Sequence, residues 1–180
     1  DSNFTGNEAY LTSGGAIAAS SYMSKPYLTV VNCEFNDNYA VGSGGAISFG
    51  SSTLTVENSR FNNNIASSEN GGAISTGTAT STISNCEFKY NEASGMGGAV
   101  YGSDKGRLTV DHCIFVYNTA NINYGLAIAY YYTGNSNTAA YLTYTNNNFT
   151  GPNNGAGSVY VYNNKVVVTQ SNNTNEDISN

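Results

Sequence analysis

The chain has 180 residues, the length of a single domain, and 10% of them are charged. Six Lys and Arg residues against twelve Asp and Glu residues give a formal net charge of −6. This balance excludes a basic surface for nucleic acid, and no apolar run reaches the roughly 20 residues that a membrane-spanning helix requires, so we expect neither nucleic-acid binding nor membrane insertion by this segment.

The first element of an internal repeat begins at Phe4. A Phe is followed three residues later by Asn and five residues later by Ala, and this pattern starts at Phe4, Phe35, Phe61, Phe88 and Phe115. A degenerate sixth copy contains Phe149, and successive Phe residues are 26 to 34 residues apart. A period in this range is typical of solenoids, in which each repeat forms one coil.

Two further elements follow each Phe motif in a constant order. A Gly-Gly-Ala-Ile or Gly-Gly-Ala-Val sequence comes next, as at Gly44 and Gly71, and a strand-like run such as residues 28–30 or 54–56 leads into the next Phe. No segment has the 3.6-residue periodicity of a helix. Three short strands per repeat therefore predict an all-β fold of about six three-sided coils over residues 1–170, with a polar C-terminal tail at 171–180.

Stacking of coils converts repeated positions into columns. Because inward residues alternate along a strand, one continuous aromatic core column is predicted, formed by Phe35, Phe61, Phe88, Phe115 and Phe149. Asparagine side chains at two bends can pass hydrogen bonds from coil to coil. One such column contains Asn32, Asn58 and Asn85, and the other contains Asn38, Asn64, Asn91 and Asn118. His112, the only histidine, lies in register with the first column, and we interpret it as a structural residue.

The combination of Phe-x-x-Asn at Phe61 with Gly-Gly-Ala-Ile at Gly71 resembles the repeat of chlamydial polymorphic outer-membrane proteins. It is equally similar to adhesin-like β-helix proteins of methanogenic archaea and some protists. The resemblance implies a right-handed parallel β-helix, displayed outside the cell or on its surface, with a role in adhesion and no catalytic residue. The sequence departs from the pattern at Leu126, where the second Gly is lost.

Large β-helices also include polysaccharide lyases and hydrolases. Their chemistry requires grouped carboxylates, or a carboxylate with a basic residue or a metal. Here Glu34, Arg60 and Glu87 fall in one outward column, which predicts a ladder of surface ion pairs instead. We therefore predict no enzyme activity, no cofactor and no metal site, and we keep a polysaccharide-binding or polysaccharide-degrading protein as the alternative.

Cys86 and Cys113 occupy neighbouring coils of one inward column, which also contains Cys33. Stacked neighbours have a Cα separation within the range of a disulfide. The sequence leaves open whether this pair is bonded or consists of two small core residues.

Tyrosines are concentrated late in the chain, and the group of interest contains Tyr130, Tyr131, Tyr132 and Tyr141. Exposed aromatic side chains with little charge around them form surfaces for a ligand or a protein partner. The same side chains can instead cover the C-terminal end of the core. Both interpretations remain open at this stage.

Asn3 and Asn148 each begin an Asn-x-Thr sequon and occupy equivalent outward positions in their coils. Both are candidate glycosylation sites, provided that the chain is secreted.

Taken as a rod, the repeat predicts an extracellular structural or adhesin-like function. The edge strands of the first and last coils invite pairing. We expect them to stack end to end on another copy, as in a fibre, or to join flanking coils of a longer chain. A host-surface protein or a glycan is the further partner expected for the sides of the rod.

Overall fold

The computed structural model describes residues 1–20, 26–50, 52–121, 124–134, 139–151, 157–163, 165–174 and 178–179. Strands within these residues pair in parallel with the equivalent strands of the neighbouring coils. The result is a parallel β-solenoid with four sheets, A to D, which follow one another along each coil. In the part of the chain that is described, no helix is long and apolar enough to cross a membrane.

A complete coil contributes one strand to each sheet. Sheet A consists of Ser2–Thr5, Cys33–Asn36, Arg60–Asn62, Glu87–Lys89, Ile114–Val116 and Asn148–Thr150. Sheet B consists of Glu8–Ala9, Tyr39–Ala40, Ile65–Ala66, Glu92–Ala93 and Thr119–Ala120. Sheet C consists of Ile17–Ala19, Ile47–Phe49, Ile74–Thr76, Val100–Ser103, Ile128–Tyr131, Val159–Tyr162 and Ile178–Ser179. Sheet D consists of Tyr27–Val31, Thr53–Glu57, Thr80–Ser84, Arg107–Asp111, Ala140–Thr145 and Val166–Ser171.

Sheet B is the element that the sequence did not predict, because three strands per coil were expected. Its strands are two residues long, and Ala66 pairs with Ala40 on one side and Ala93 on the other. A sharp bend separates it from sheet A, since Asn63 has a φ of 53°. A two-residue strand is too short to produce an alternation that sequence analysis can recognise.

The two glycines of the repeat have different structural causes. The first, as at Gly71 with a φ of 69°, adopts the left-handed backbone that turns the chain into sheet C. The second lies against the next coil, because a Cβ on Gly72 would be 2.1 Å from the carbonyl oxygen of Gly98. Leu126 replaces this second glycine, and its N–H still donates to the Gly157 carbonyl oxygen at 3.0 Å. Backbone hydrogen bonding between neighbouring coils therefore continues at Leu126.

A column of parallel aromatic rings runs through the core. The rings of Phe4, Phe35, Phe61, Phe88, Phe115 and Phe149 stack with centroids 4.6 to 5.1 Å apart and planes within 11° of each other. Aliphatic columns from sheets C and D, such as Ile47, Ile74 and Val100, pack against it. Each ring contact of this kind contributes about 0.5 to 1.5 kcal/mol beyond burial.

The strand pattern extends past residue 170, where the sequence predicted the end of the domain. Strand Val166–Ser171 pairs with Ala140–Thr145 over its whole length, and Ile178–Ser179 pairs with the start of Val159–Tyr162. Asn172 repeats the bend before sheet A with a φ of 54°. The predicted boundary thus falls inside a strand, while residues 175–177 and 180 of the predicted tail lie outside the described residues.

Candidate functional site

An open groove of about 600 Å³ lies along the bend between sheets D and A. It is formed by the bend residue, the inward residue after it and the first outward residue of sheet A in successive coils. The lining residues are Asn32, Cys33, Glu34, Asn58, Ser59, Arg60, Asn85, Cys86, Glu87, His112 and Ile114. Because the coils repeat, equivalent groups recur along the groove at the separation of neighbouring strands, about 4.8 Å.

One wall of the groove is formed by the ion pairs that the sequence predicted for the outward column of Glu34, Arg60 and Glu87. The Arg60 Nη1 atom lies 3.0 Å from Glu34 Oε1, and its Nε atom lies 3.7 Å from Glu87 Oε2. Glu87 also pairs with Lys89. The Arg60 side chain is 61% exposed, so these pairs contribute little to stability, about 0 to 1 kcal/mol each.

The buried asparagine column forms the predicted hydrogen-bonded ladder. Asn64 donates from its backbone N–H and from Nδ2 to Asn91 Oδ1, at 3.0 and 2.9 Å. Asn38 bonds to Asn64 in the same way, and Asn91 to Asn118. The Nδ2 group of Asn64 also donates to the Phe35 carbonyl oxygen at 3.0 Å. This ladder is structural and is closed to solvent.

The second predicted asparagine ladder, at the mouth of the groove, is not formed by Asn32, Asn58 and Asn85, although the Asn172 amide donates to Asn146 Oδ1 at 3.1 Å at the same bend in later coils. Asn32, Asn58 and Asn85 are exposed, and their side chains bond to no other described residue. All three have a φ between 50° and 54°, which turns the chain sharply into sheet A. Their role is to adopt the left-handed bend, which Asn tolerates better than most residues.

His112 closes one end of the groove as part of a polar network. It lies at the bend with a φ of 51°, in the register that the sequence predicted. Its Nδ1 atom is 2.7 Å from Asp111 Oδ2, and since a carboxylate only accepts, Nδ1 carries the proton. The hydroxyl of Thr145 and the amide of Asn146 donate to Asp111 Oδ1 at 2.5 and 2.9 Å.

These contacts make Asp111 a stronger acid than an ordinary aspartate. The hydrogen bond from Thr145, supported by those from Asn146 and His112, lowers the pKa of Asp111 to about 2. Asp111 therefore remains ionised in all but strongly acidic solution and accepts the hydrogen bond that orients the imidazole.

The suggested Cys86–Cys113 disulfide is absent from the structure, in which both residues are free thiols, as is Cys33. Cys86 and Cys113 are buried in neighbouring coils, and burial raises the pKa of the Cys113 thiol well above its usual range. The pair acts as small core residues in this state.

Of the two interpretations of the late tyrosines, packing in the core holds for Tyr130 and Tyr132, which therefore cannot belong to an exposed patch. Tyr130 and Tyr132 are 1% exposed, because alternation along strand Ile128–Tyr131 directs Tyr130 into the core. The Tyr130 hydroxyl donates to the Gly106 carbonyl oxygen at 2.7 Å. Of the others, Tyr131 stacks on Tyr162 with centroids 4.5 Å apart, and Tyr141 lies under the Arg107 guanidinium at 4.1 Å.

The two sequon asparagines occupy the outward column of sheet A, as expected. Asn3 pairs in register with Glu34, and Asn148 with Ile114, and both are exposed. The Thr5 hydroxyl donates to Asn3 Oδ1 at 2.7 Å. Glycosylation at these residues stays a prediction.

Sequence analysis missed an exposed aromatic pair at the bend between sheets A and B. Tyr90 and Tyr117 are 57% and 48% exposed. Their rings are nearly parallel, at 8°, with centroids 5.9 Å apart. The available signal was positional: the residue two after each core Phe is Gly, Asp or Asn in other coils and Tyr in these two.

Among the described residues, no group of three or more His, Cys, Asp or Glu side chains is placed to hold a metal ion. The groove therefore offers amides, an ion-pair ladder and one oriented imidazole as its chemistry.

The family comparison agrees with this architecture. A family model described as the right handed beta helix region matches residues 1–139. No curated protein and no solved structure matches the chain. The matched region includes strands of all four sheets, from Ser2–Thr5 to Ile128–Tyr131.

Proposed function

Because the chain belongs to the right-handed β-helix family, we propose that it is a rigid rod for display or adhesion at the cell surface or outside the cell. One observation supports this: the inward columns are nearly uniform, while the outward columns change from coil to coil. The outward residues before the core Phe are Asn3, Glu34, Arg60, Glu87, Ile114 and Asn148. A constant frame with a variable surface is suited to presenting side chains to a partner.

The ends of the rod supply the proposed contacts along its axis. Strand Ser2–Thr5 pairs on one side only within the described residues, and Phe4 is less buried than Phe35. Unpaired strand edges are templates for further pairing. We propose that the coils stack on another copy or on flanking coils of a longer chain.

Two measurements test the display role. Antibodies raised against the purified chain are expected to label intact, unpermeabilised cells of the source organism, and labelling only after permeabilisation would exclude the role. Electron microscopy and sedimentation over a concentration series distinguish the two axial partners. Filaments that lengthen with concentration identify another copy, whereas a persistent monomer points to flanking coils.

The groove favours a second candidate, a polysaccharide-binding or polysaccharide-degrading protein. The observation is the oriented imidazole of His112, held by Asp111 at the edge of a groove that also contains Glu87. Incubation with acidic and neutral glycans, followed by product detection, tests it. Turnover that disappears in His112→Gln would establish an enzyme, and no turnover on any glycan would reject degradation.

A further inference from the structure

The residue two after the core Phe adopts a left-handed backbone in the first five coils, whereas Gly151 of the sixth coil does not. Gly6, Asp37 and Asn63 have φ values of 63°, 56° and 53°, and Tyr90 and Tyr117 have values of 55° and 50°. Gly, Asn and Asp enter this region at little cost, whereas a bulky side chain is disfavoured there by roughly 1 to 2 kcal/mol. Two neighbouring coils thus carry tyrosine where the fold itself favours other residues, which directs attention to the use of the rings.

In the coil beyond Tyr117, the equivalent position has no side chain that could continue the aromatic stack. The equivalent residue there is Gly151, and a Cβ built on it would contact only the backbone of Tyr117, at 3.9 Å, among the described residues. The Tyr117 N–H donates to the Thr150 carbonyl oxygen at 2.7 Å, so Thr150, which is exposed, lies beside this level of the stack. Val116 directly precedes Tyr117 and pairs in register with Thr150, and Ile114 of the same strand is 45% exposed.

We propose that Tyr90 and Tyr117 form a stacking platform for an uncharged saccharide, with one sugar ring lying on Tyr117 at the level of Gly151. A pyranose ring has an apolar C–H face and a rim of hydroxyls. The apolar face matches the exposed ring of Tyr117, and the rim matches the Thr150 hydroxyl.

Charge and size argue for this ligand over other classes. Lys89, the cation nearest to the platform in sequence, is paired with Glu87, and the chain has a net charge of −6. Phosphate-bearing nucleic acids and anionic glycans therefore find no counter-charge. A stable protein interface covers about 800 Å² on each partner, and two tyrosine side chains supply only a small part of that area.

The proposed ligand of the rod's sides is thus an uncharged saccharide. Its biological role rests on the proposed display function. The test is nevertheless independent of that role, because it uses the purified chain. If surface labelling fails and saccharide binding is observed, the display role is rejected and the platform stands. The reverse outcome rejects the platform alone.

The experiment is titration of the purified chain with cellohexaose, chitohexaose, mannohexaose and maltohexaose, followed by calorimetry and by saturation-transfer NMR. Hexagalacturonate serves as the charged probe. The variants are Tyr90→Asn and Tyr117→Asn, which introduce the residue that Asn63 already provides at this bend, and Tyr117→Phe. Tyr27→Thr is the control, because Tyr27 is also exposed, at 77%, but lies on sheet D, where it pairs in register with Thr53.

At least one uncharged hexasaccharide is expected to bind with a Kd of about 1 mM or lower, and hexagalacturonate more weakly. Either Tyr→Asn variant is expected to weaken binding about fivefold to tenfold, the effect of losing one ring contact. Tyr117→Phe and Tyr27→Thr are expected to bind as wild type does. Thermal unfolding verifies the fold, since the Asn variants should melt at the wild-type temperature or above it. Binding to none of the probes, or equal binding by wild type and Tyr117→Asn, would overturn the proposal.

Discussion

Asp111 accepts hydrogen bonds from Thr145, Asn146 and His112, and these contacts lower its pKa to about 2. The unfolded value is about 3.9, so the contacts stabilise the fold fully above about pH 4, and this contribution is lost as the pH falls towards 2. Asp111→Asn is expected to reduce the free energy of unfolding by about 1 kcal/mol at pH 7. The difference from wild type should shrink between pH 4 and pH 2, as urea unfolding at a series of pH values will measure.

Asp104→Asn is the control for this pH dependence. Asp104 is exposed and lies in a turn, where its φ of 59° suits Asn as well. Its difference from wild type should stay within about 0.5 kcal/mol, as expected for an ordinary surface substitution. A loss in Asp111→Asn that remained constant down to pH 2 would contradict the assignment of the low pKa.

Single residues also mark what the sequence could and could not predict. A nearly constant period locates columns, so the core Phe positions and the buried Asn ladder follow from spacing alone. Whether an asparagine at a bend joins a ladder depends on the direction of its side chain, and the spacing of the repeat does not specify that direction. Asn58 points to solvent, whereas Asn64 points inward to the ladder. Tyr130 and Tyr131 were indistinguishable for the same reason, because only the strand register decides which of them faces the core.

Among the columns, the buried asparagine ladder gives the largest expected effect of a polar substitution. Asn64→Ala removes the acceptor of two hydrogen bonds from Asn38 and the donor to the Phe35 carbonyl oxygen. Buried groups left without partners cost about 1 to 3 kcal/mol each. We expect a loss of about 3 kcal/mol in the free energy of unfolding, measured by urea denaturation.

Asn7→Ala is the matched control at the exposed end of the same ladder. Asn7 donates to Asn38 Oδ1 from its backbone and side chain but is open to water. Its replacement should cost less than about 1 kcal/mol, because water satisfies the groups that are released. Equal losses in the two variants would show that burial does not determine the strength of the ladder.

The glycine columns separate two effects of adding a single methyl group. In Gly72→Ala the Cβ would meet the Gly98 carbonyl oxygen at 2.1 Å, and backbone of the next coil must move to admit it. We expect this variant to lose the cooperative thermal unfolding transition of the folded chain. Gly6→Ala places its Cβ in open space at a φ of 63°, so its cost should be only the backbone term of about 1 to 2 kcal/mol. A Gly72→Ala variant as stable as Gly6→Ala would contradict the close approach of the coils.

The elements themselves were predictable to different degrees. Sheets C and D follow from the Gly-Gly-Ala and strand-like motifs, because their strands are long enough to alternate between core and surface. Sheet B was missed, since two paired residues carry no alternation, and the end of the repeat was placed early because residues 171–174 are polar. The backbone pairing of Ser171 with Thr145 continues there without apolar side chains.

At the scale of the whole molecule, each coil contacts only its neighbours, so the rod should behave as a sum of similar units. In-frame duplication of residues 61–87, one period from Phe61 to the residue before Phe88, adds one complete coil. We expect a folded chain that is longer by about 4.8 Å in small-angle X-ray scattering. Its urea m-value should also increase, because m scales with the surface buried on folding.

A duplication that is out of phase supplies the comparison for this experiment. Repeating residues 61–83 adds a similar amount of chain but omits the bend at Asn85. The inserted Phe would then reach the next coil without the turn that carries it into the aromatic stack. We expect this variant to unfold at a lower temperature than wild type, whereas the in-phase variant matches or exceeds it. If both variants had the same unfolding temperature, folding would depend on the length of the inserted chain and not on its phase relative to the coil. That result would contradict the description of the rod as a sum of neighbouring coils.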